Sequence, residues 1–125
     1  METDFVFVYG SLKRGYRLFS QYLEETAFIG KATLEGYTLH KVDNAWYPGI
    51  KKGAGKVKGE VFKIGPDNLK QLDLVEGEGQ LYDRITAEVV LENLGETLTA
   101  YVYIFKKKEF LGPVIKDGIW KKKDG

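Results

Sequence analysis

The chain has 125 residues, 43% hydrophobic and 30% charged, which predicts a single domain over residues 1–125. It has no cysteine and one histidine, which excludes disulfides and thiolate metal sites and argues against a histidine metal site or a Ser-His-Asp triad. Nineteen basic and 18 acidic residues give a net charge of +1, so we expect no nucleic-acid partner. The first residues show neither a basic leader nor a long apolar stretch, so we expect no membrane association and a cytoplasmic location.

The first predicted strand covers residues 5–9, an unbroken run of β-branched and aromatic residues that ends at Gly10. A run without polar alternation is typical of a strand buried on both faces. Gly10 and Ser11 break this strand just ahead of a helix predicted over residues 16–25. The break leaves consecutive backbone N–H groups without a partner, and such groups bind carboxylates or phosphates. An ordinary strand-to-helix turn is an equally good interpretation of the junction taken alone.

The middle of the chain is rich in residues that favour strands and is punctuated by glycine. The strands predicted here are residues 28–33, 36–42 and 57–64. Pro48 lacks an N–H group, so residues 46–50 are not expected to form a central strand. Residues 51–55 are predicted to form a basic, glycine-bearing loop.

A second helix is predicted to begin at Pro66 and to end at Gly77, because proline is favoured in a first turn and glycine at a helix end. Glu76 lies four positions after Leu72 and seven after Leu69, so it falls on the apolar face of this helix. Burial and the negative end of the helix dipole both raise the pKa of a carboxyl group there, towards values suited to proton transfer near neutral pH. A glutamate that points to solvent remains the alternative, since helix phase is poorly defined at an end.

Two alternating segments, residues 85–92 and 98–104, predict antiparallel strands joined by a turn at residues 93–96. The tail from about residue 106 alternates lysine clusters, residues 106–108 and 121–123, with apolar residues. The apolar residues are predicted to dock on the domain itself or on a second subunit, and the lysines are interpreted mainly as solvated. About six or seven mostly antiparallel strands and two short helices predict an α+β fold.

Four motifs together resemble the gamma-glutamylcyclotransferase-like family, most closely its gamma-glutamylamine cyclotransferase (AIG2-like) branch. They are VYGSLKRG at residues 8–15, YPGI at 47–50, LDLVEG at 72–77 and YDR at 82–84. The motifs occur in the family's order and lie between residue 5 and about residue 105. The resemblance implies a small β-barrel with flanking helices and a cavity at its mouth, and an enzyme that needs no cofactor or metal.

Enzymes of this family release 5-oxoproline and a free amine from a gamma-glutamyl compound, whose own α-amino group attacks its side-chain carbonyl. The resemblance implies that Glu76 is the general acid/base. The substrate-binding residues that it implies are the backbone of Tyr9, Gly10, Ser11 and Leu12, which would hold the substrate's carboxylate, together with Tyr82 and either Tyr101 or Tyr103 in the pocket wall. Attack within one molecule needs no activated side-chain nucleophile, which agrees with the absence of cysteine and of a histidine relay.

The sequence departs from the family after Gly15, where many relatives have Asn or His and this chain has YRLF at residues 16–19. The outer part of a substrate is therefore expected to meet an apolar, basic wall. Three functions stay open: a cyclotransferase acting on a small gamma-glutamyl substrate, a module that binds a small carboxylate in the same cavity without turnover, and an interaction protein that uses the tail. The protein is expected to be a monomer or a homodimer.

Overall fold

The computed structural model describes residues 3–122; Met1, Glu2 and residues 123–125, which include Lys123 of the second lysine cluster, lie outside the described residues. The described elements are β1 (Phe5–Val8), α1 (Phe19–Tyr22), β2 (Ala27–Val42), β3 (Pro48–Lys63), α2 (Pro66–Glu76), β4 (Tyr82–Leu91), β5 (Thr97–Phe105), a 3₁₀ turn (Lys108–Phe110) and β6 (Leu111–Val114). Within residues 3–122, no helix has the length and apolar character needed to cross a bilayer.

Five of the strands close into a barrel. Their order is β3-β1-β5-β4-β2, and β2 pairs again with β3, which completes the ring. The sixth strand, β6, pairs with β2 outside this ring. Of the pairings between the described strands, only that of β1 with β5 is parallel. The predicted α+β fold with a small, mostly antiparallel barrel is confirmed.

Successive residues of β1 enter two different apolar cores. Phe7 packs inside the barrel, in a cluster to which all five ring strands contribute. Val6 and Val8 pack on the outer side, in a cluster that includes Leu72 of α2. Full burial of one such side chain contributes about 1.5–3 kcal/mol, so β1 is held firmly on both faces, as its unbroken apolar run predicts. The loop that follows β1 therefore starts from a fixed point.

Two predictions for the middle of the chain are wrong. The strands predicted at residues 28–33 and 36–42 form one continuous strand, β2, and the loop predicted at residues 51–55 lies within β3. The two long strands form a ribbon whose register shifts between Glu35 and Tyr37. Near this shift the glycines of β3 allow β2 to pack closely against β3, because a Cβ at Gly53 would lie 2.9 Å from the Thr38 side chain.

Residues 46–50 are not expected to form a central strand; β3 begins within them, at Pro48, which pairs with Lys41 of β2. A proline that opens a strand costs only one ladder hydrogen bond. The first helix is shorter than the predicted residues 16–25 and consists of the four residues Phe19–Tyr22. The chain before α1 is a series of turns instead, in which the Leu18 N–H donates to the Ser11 carbonyl at 2.9 Å.

The tail docks on the barrel of its own chain, which confirms one of the two predicted alternatives. Trp120 is only 1% exposed and belongs to the core inside the barrel. Its backbone oxygen accepts hydrogen bonds from Lys13 Nζ at 2.7 Å and from the Tyr16 hydroxyl at 3.0 Å. The N–H of Lys58 in β3 donates to the Gly118 carbonyl at 2.8 Å, so the segment after β6 is tied to the barrel at several points.

Candidate active site

A cavity of about 740 Å³, counted to its open mouth, lies where the end of β1 meets the end of α2. The seven residues predicted for the site all lie in its wall: Tyr9, Gly10, Ser11, Leu12, Glu76, Tyr82 and Tyr103. The structure thus brings together residues that are far apart in the sequence, and their roles in binding or catalysis stay predictions. The alternative Tyr101 does not line the cavity and lies against the Arg84 guanidinium instead.

Helix α2 determines where Glu76 lies. Leu72 is fully buried and fixes the face that the helix turns to the barrel. Gly77 ends the helix in the left-handed conformation, with φ of 63°, which a residue with a Cβ adopts only with strain. The Glu78 N–H reaches back to the Asp73 carbonyl and completes this helix end. Glu76 is consequently the last helical residue, and its side chain lies in the cavity wall.

The carboxyl group of Glu76 is sheltered but accessible from the cavity. Burial raises its pKa from the ordinary value of 4.5 to about 7. Among residues 3–122, no side chain or backbone group forms a hydrogen bond or ion pair with this carboxyl group. Every fully buried side-chain oxygen of the described residues has a hydrogen-bond partner, whereas the Glu76 oxygens have none. The Glu76 oxygens are therefore not fully buried, and they reach the open space of the cavity. The group is therefore close to half-protonated at neutral pH and can exchange a proton with a bound molecule.

Three tyrosines surround Glu76, and each donates its phenolic proton to another acceptor. The donations, all at 2.6 Å, are from Tyr9 to the backbone oxygen of Tyr103, from Tyr82 to that of Pro48 and from Tyr103 to the Asp73 carboxylate. Burial raises the pKa of each phenol well above its ordinary value, and the nearby Glu76 charge raises it further. The tyrosines thus stay neutral, and none of them donates a hydrogen bond that would stabilise the Glu76 carboxylate.

The loop after β1 presents unused backbone donors at the opposite wall. The N–H groups of Gly10, Ser11 and Leu12 donate no hydrogen bond to any residue within 3–122. The loop is pressed against the start of β3: a Cβ at Gly10 would lie 2.8 Å from the Pro48 ring, so only glycine fits. Adjacent N–H groups of this kind bind an anionic group such as a carboxylate by donating hydrogen bonds to it.

Several lining residues are missing from the predicted site, above all Trp46 and Tyr47. The two rings pack edge to face, with centroids 5.4 Å apart, and Trp46 is 40% exposed at the cavity mouth. The available signal was an adjacent aromatic pair directly before Pro48. Tyr47 opens the YPGI motif at residues 47–50, but the sequence assigns no role in the site to either ring. Glu78 lies outside the cavity wall and accepts a hydrogen bond from the Arg84 N–H at 3.3 Å, so it forms no carboxylate pair with Glu76.

Comparison with known proteins gives a consistent assignment. Residues 6–122 match the family described as gamma-glutamyl cyclotransferase, AIG2-like. A protein of Methanocaldococcus jannaschii, provisionally named a gamma-glutamylcyclotransferase, is 31% identical over 94% of this chain and 96% of its own length. AIG2-like protein C of Arabidopsis thaliana is 38% identical over 83% of this chain and 60% of its own length. The crystal structure of an AIG2-like protein from Mus musculus superposes with a TM-score of 0.76 at 26% identity, covering 90% of this chain and 86% of that one.

Proposed function

Because the chain belongs to the gamma-glutamyl cyclotransferase, AIG2-like family, we propose that it releases 5-oxoproline and a free amine from a gamma-glutamyl amine or a related amide. The observation that carries this proposal is the Glu76 carboxyl group, which faces the cavity without a protein partner and has a pKa of about 7. A general acid/base works best when its pKa is near the working pH, because it then takes and gives protons with equal ease.

The unpaired amides of Gly10, Ser11 and Leu12 are suited to hold the α-carboxylate of the glutamyl group. With that end fixed, the substrate's side chain folds back so that its carbonyl carbon lies near its own α-nitrogen. Tyr82 and Tyr103 form the adjoining wall and keep water away from the reacting atoms. Holding two reacting groups in such a near-attack geometry lowers the barrier by up to about 7–11 kcal/mol.

The reaction itself exchanges one amide bond for another. The substrate's α-ammonium group passes one proton to the Glu76 carboxylate. The neutral nitrogen then forms a bond to the side-chain carbonyl carbon and releases a second proton to water. The bond from that carbon to the amine nitrogen then breaks, and the proton held by Glu76 passes to the departing amine. Water is not consumed, and Glu76 returns to its starting state. Proton transfer by such a group contributes about 10²–10⁴-fold to the rate.

Incubation of the protein with gamma-glutamyl-ε-lysine and other gamma-glutamyl amines, followed by detection of 5-oxoproline, tests this proposal. Glu76→Gln removes the transferable proton but keeps the shape, so we expect kcat to fall at least about 100-fold with an unchanged circular dichroism spectrum. Glu78→Gln is the matched control because Glu78 lies outside the cavity wall, and it should retain activity. A fully active Glu76→Gln variant would reject the assigned role.

The same cavity also suits a module that binds a small carboxylate without turning it over. This second candidate is motivated by the segment after Gly15, YRLF at residues 16–19, where the family resemblance leads us to expect Asn or His. Calorimetry with glutamate derivatives distinguishes the two functions. Tight binding with no product over several hours would support the binding module, and rapid formation of 5-oxoproline would exclude it.

A further inference from the structure

A buried glutamate of β3, Glu60, lies behind the loop that carries the unpaired amides. It is only 9% exposed, and it pairs with Val8 of β1 on one side and with Lys31 of β2 on the other. The two strands β3 and β1 are close here, because the Val8 carbonyl oxygen leaves no room for a Cβ at Gly59. Glu60 therefore extends from a fixed part of the barrel wall, opposite the residue that ends β1.

The loop after β1 begins with a turn whose far end is joined to Glu60. The Lys13 N–H donates to the Gly10 carbonyl at 3.1 Å, which closes a four-residue turn. The next backbone N–H, that of Arg14, donates to Glu60 Oε1 at 2.8 Å. The near end of the turn follows directly from β1, and the far end is held by β3. The two central residues of the turn carry amides that are proposed to hold the substrate's carboxylate.

Within residues 3–122, both partners of the Glu60 carboxylate belong to Arg14. Oε1 accepts the backbone N–H, and Oε2 lies 3.6 Å from Arg14 Nε. The Arg14 guanidinium carbon lies 3.4 Å from the centroid of the Phe28 ring, so β2 also holds this side chain. A buried carboxylate without a partner is costly, and a hydrogen bond to a charged acceptor is stronger than one between neutral groups. The contact between Glu60 and the Arg14 N–H is therefore a firm one.

We propose that Glu60 is a positioning residue of the candidate active site. By accepting the Arg14 N–H bond it holds the turn in place, so that the amides of Ser11 and Leu12 face the substrate's carboxylate. The inference rests on the function proposed above for these amides. Glu60 does not line the cavity and acts only through the loop. Loosening the loop weakens the binding of substrate and transition state alike, which raises KM and leaves kcat little changed.

Steady-state kinetics with gamma-glutamyl-ε-lysine tests this role. Glu60→Ala should raise KM about tenfold, with kcat within about twofold of the wild type. Glu60→Gln keeps an oxygen that accepts the Arg14 N–H, so KM should return to nearly the wild-type value. Val57→Ala is the matched control for a loss of stability, because Val57 is fully buried in the same strand and does not line the cavity. It should leave KM unchanged.

Two results of the kinetics would overturn the proposal. One is a KM in Glu60→Ala that equals the wild-type value or that rises no more than in Val57→Ala. The other is an equal rise in KM for Glu60→Ala and Glu60→Gln, which would show that the acceptor oxygen has no part in substrate binding.

Nitrogen-15 relaxation of the ligand-free protein separates the positioning role from the reaction. The order parameters of the Ser11 and Leu12 N–H groups should be about 0.85 in the wild type and in Glu60→Gln, and below about 0.6 in Glu60→Ala. Val57→Ala should keep the wild-type values. If the wild type converts no gamma-glutamyl amine but this pattern is found, the proposed function fails and Glu60 still positions the loop. Equal order parameters in the wild type and Glu60→Ala overturn the positioning role, whatever the activity.

Discussion

Glu76 is the one acidic residue among the described residues that line the cavity, so the pH dependence of activity should follow its ionisation. The proposed first step needs the carboxylate form, because that form accepts the proton from the substrate's α-nitrogen. With a pKa of about 7, we expect kcat/KM to rise with pH and to level off above pH 8. Steady-state kinetics between pH 5 and 9 measures this rise in kcat/KM. A profile with no inflection between about pH 6 and 8 would contradict the assignment.

The same residue links stability to pH. A carboxyl group whose pKa is higher in the folded protein holds its proton more tightly there. Its stabilising contribution is complete below the ordinary value of 4.5 and is lost as the pH rises through about 7. The shift corresponds to at most about 3 kcal/mol.

Urea unfolding of the wild type and of Glu76→Gln at several pH values checks this linkage. We expect the free energy of unfolding of the wild type to fall relative to that of the variant between pH 4.5 and 8. Glu78→Gln serves as the control for the loss of one carboxyl group, because Glu78 is exposed and lies outside the cavity wall. A constant difference for Glu76→Gln would show that the carboxyl is solvated.

How far single residues were predictable depended on their surroundings in the sequence. Glu76 was found because it lies at a helical distance from two leucines and just before a helix-ending glycine. Trp46 was not found, because an exposed aromatic residue in an irregular segment has no periodic neighbours. Its place at the mouth follows only from the position of β3, which brings Pro48 and Gly10 into contact.

At the scale of elements, α2 is joined to the barrel by Asp73. This carboxylate accepts hydrogen bonds from Arg84 of β4 and from Tyr103 of β5. Asp73 lies one helical turn before Glu76, so the contact fixes the helix end that carries the proposed general acid/base. Asp73 does not line the cavity, and we expect it to act as a positioning residue.

Asp73→Ala should therefore leave Arg84 and Tyr103 without their partner and loosen the end of α2. We expect a loss of about 1–3 kcal/mol in the free energy of unfolding. We also expect kcat to fall about tenfold with little change in KM, because the amides proposed to hold the substrate lie in the loop after β1. Asp67→Ala, an exposed residue in the first turn of the same helix, is the control and should change neither quantity by much. A variant that loses stability but keeps kcat would reject the positioning role.

Elements with local signals were predicted well, and those defined by distant pairing were not. Pro66 and Gly77 mark the ends of α2, and residues 93–96 form the predicted turn between β4 and β5. The extent of β2 and β3 depends on pairing with each other, which overrides the glycines that suggest breaks. One turn of helix replaces the predicted longer α1, because the preceding residues supply Leu18 to the cavity and Tyr16 to the barrel core.

At the scale of the whole molecule, Trp120 fixes the tail in the interior of the barrel. Truncation to Trp120→Ala removes the largest fully buried side chain, and we expect the free energy of unfolding to fall by about 3–5 kcal/mol. Phe110→Ala is the matched control, because Phe110 belongs to the same tail but is 47% exposed; it should cost well under half as much. Urea unfolding measures both. Equal losses would mean that the tail is not anchored through Trp120.

The closed barrel explains why the complete cavity was beyond prediction. Its walls come from the loop after β1, the end of α2 and the facing ends of β4 and β5. These segments meet only because β2 pairs with both β3 and β4 and thereby closes the ring. The sequence predicted that the motif residues line one cavity only through the family resemblance, which rests on the motifs and their order.

The contact between Gly10 and Pro48 has a consequence for how ligands enter and leave. Because no space remains for a side chain between the loop and the Pro48 ring, we expect the loop to move little when a ligand binds. Passage then depends on rotation of side chains at the rim, such as the exposed Trp46. Surface side chains reorient within picoseconds to nanoseconds, so admission and product escape should be far faster than bond exchange, and the chemical step should set the turnover rate.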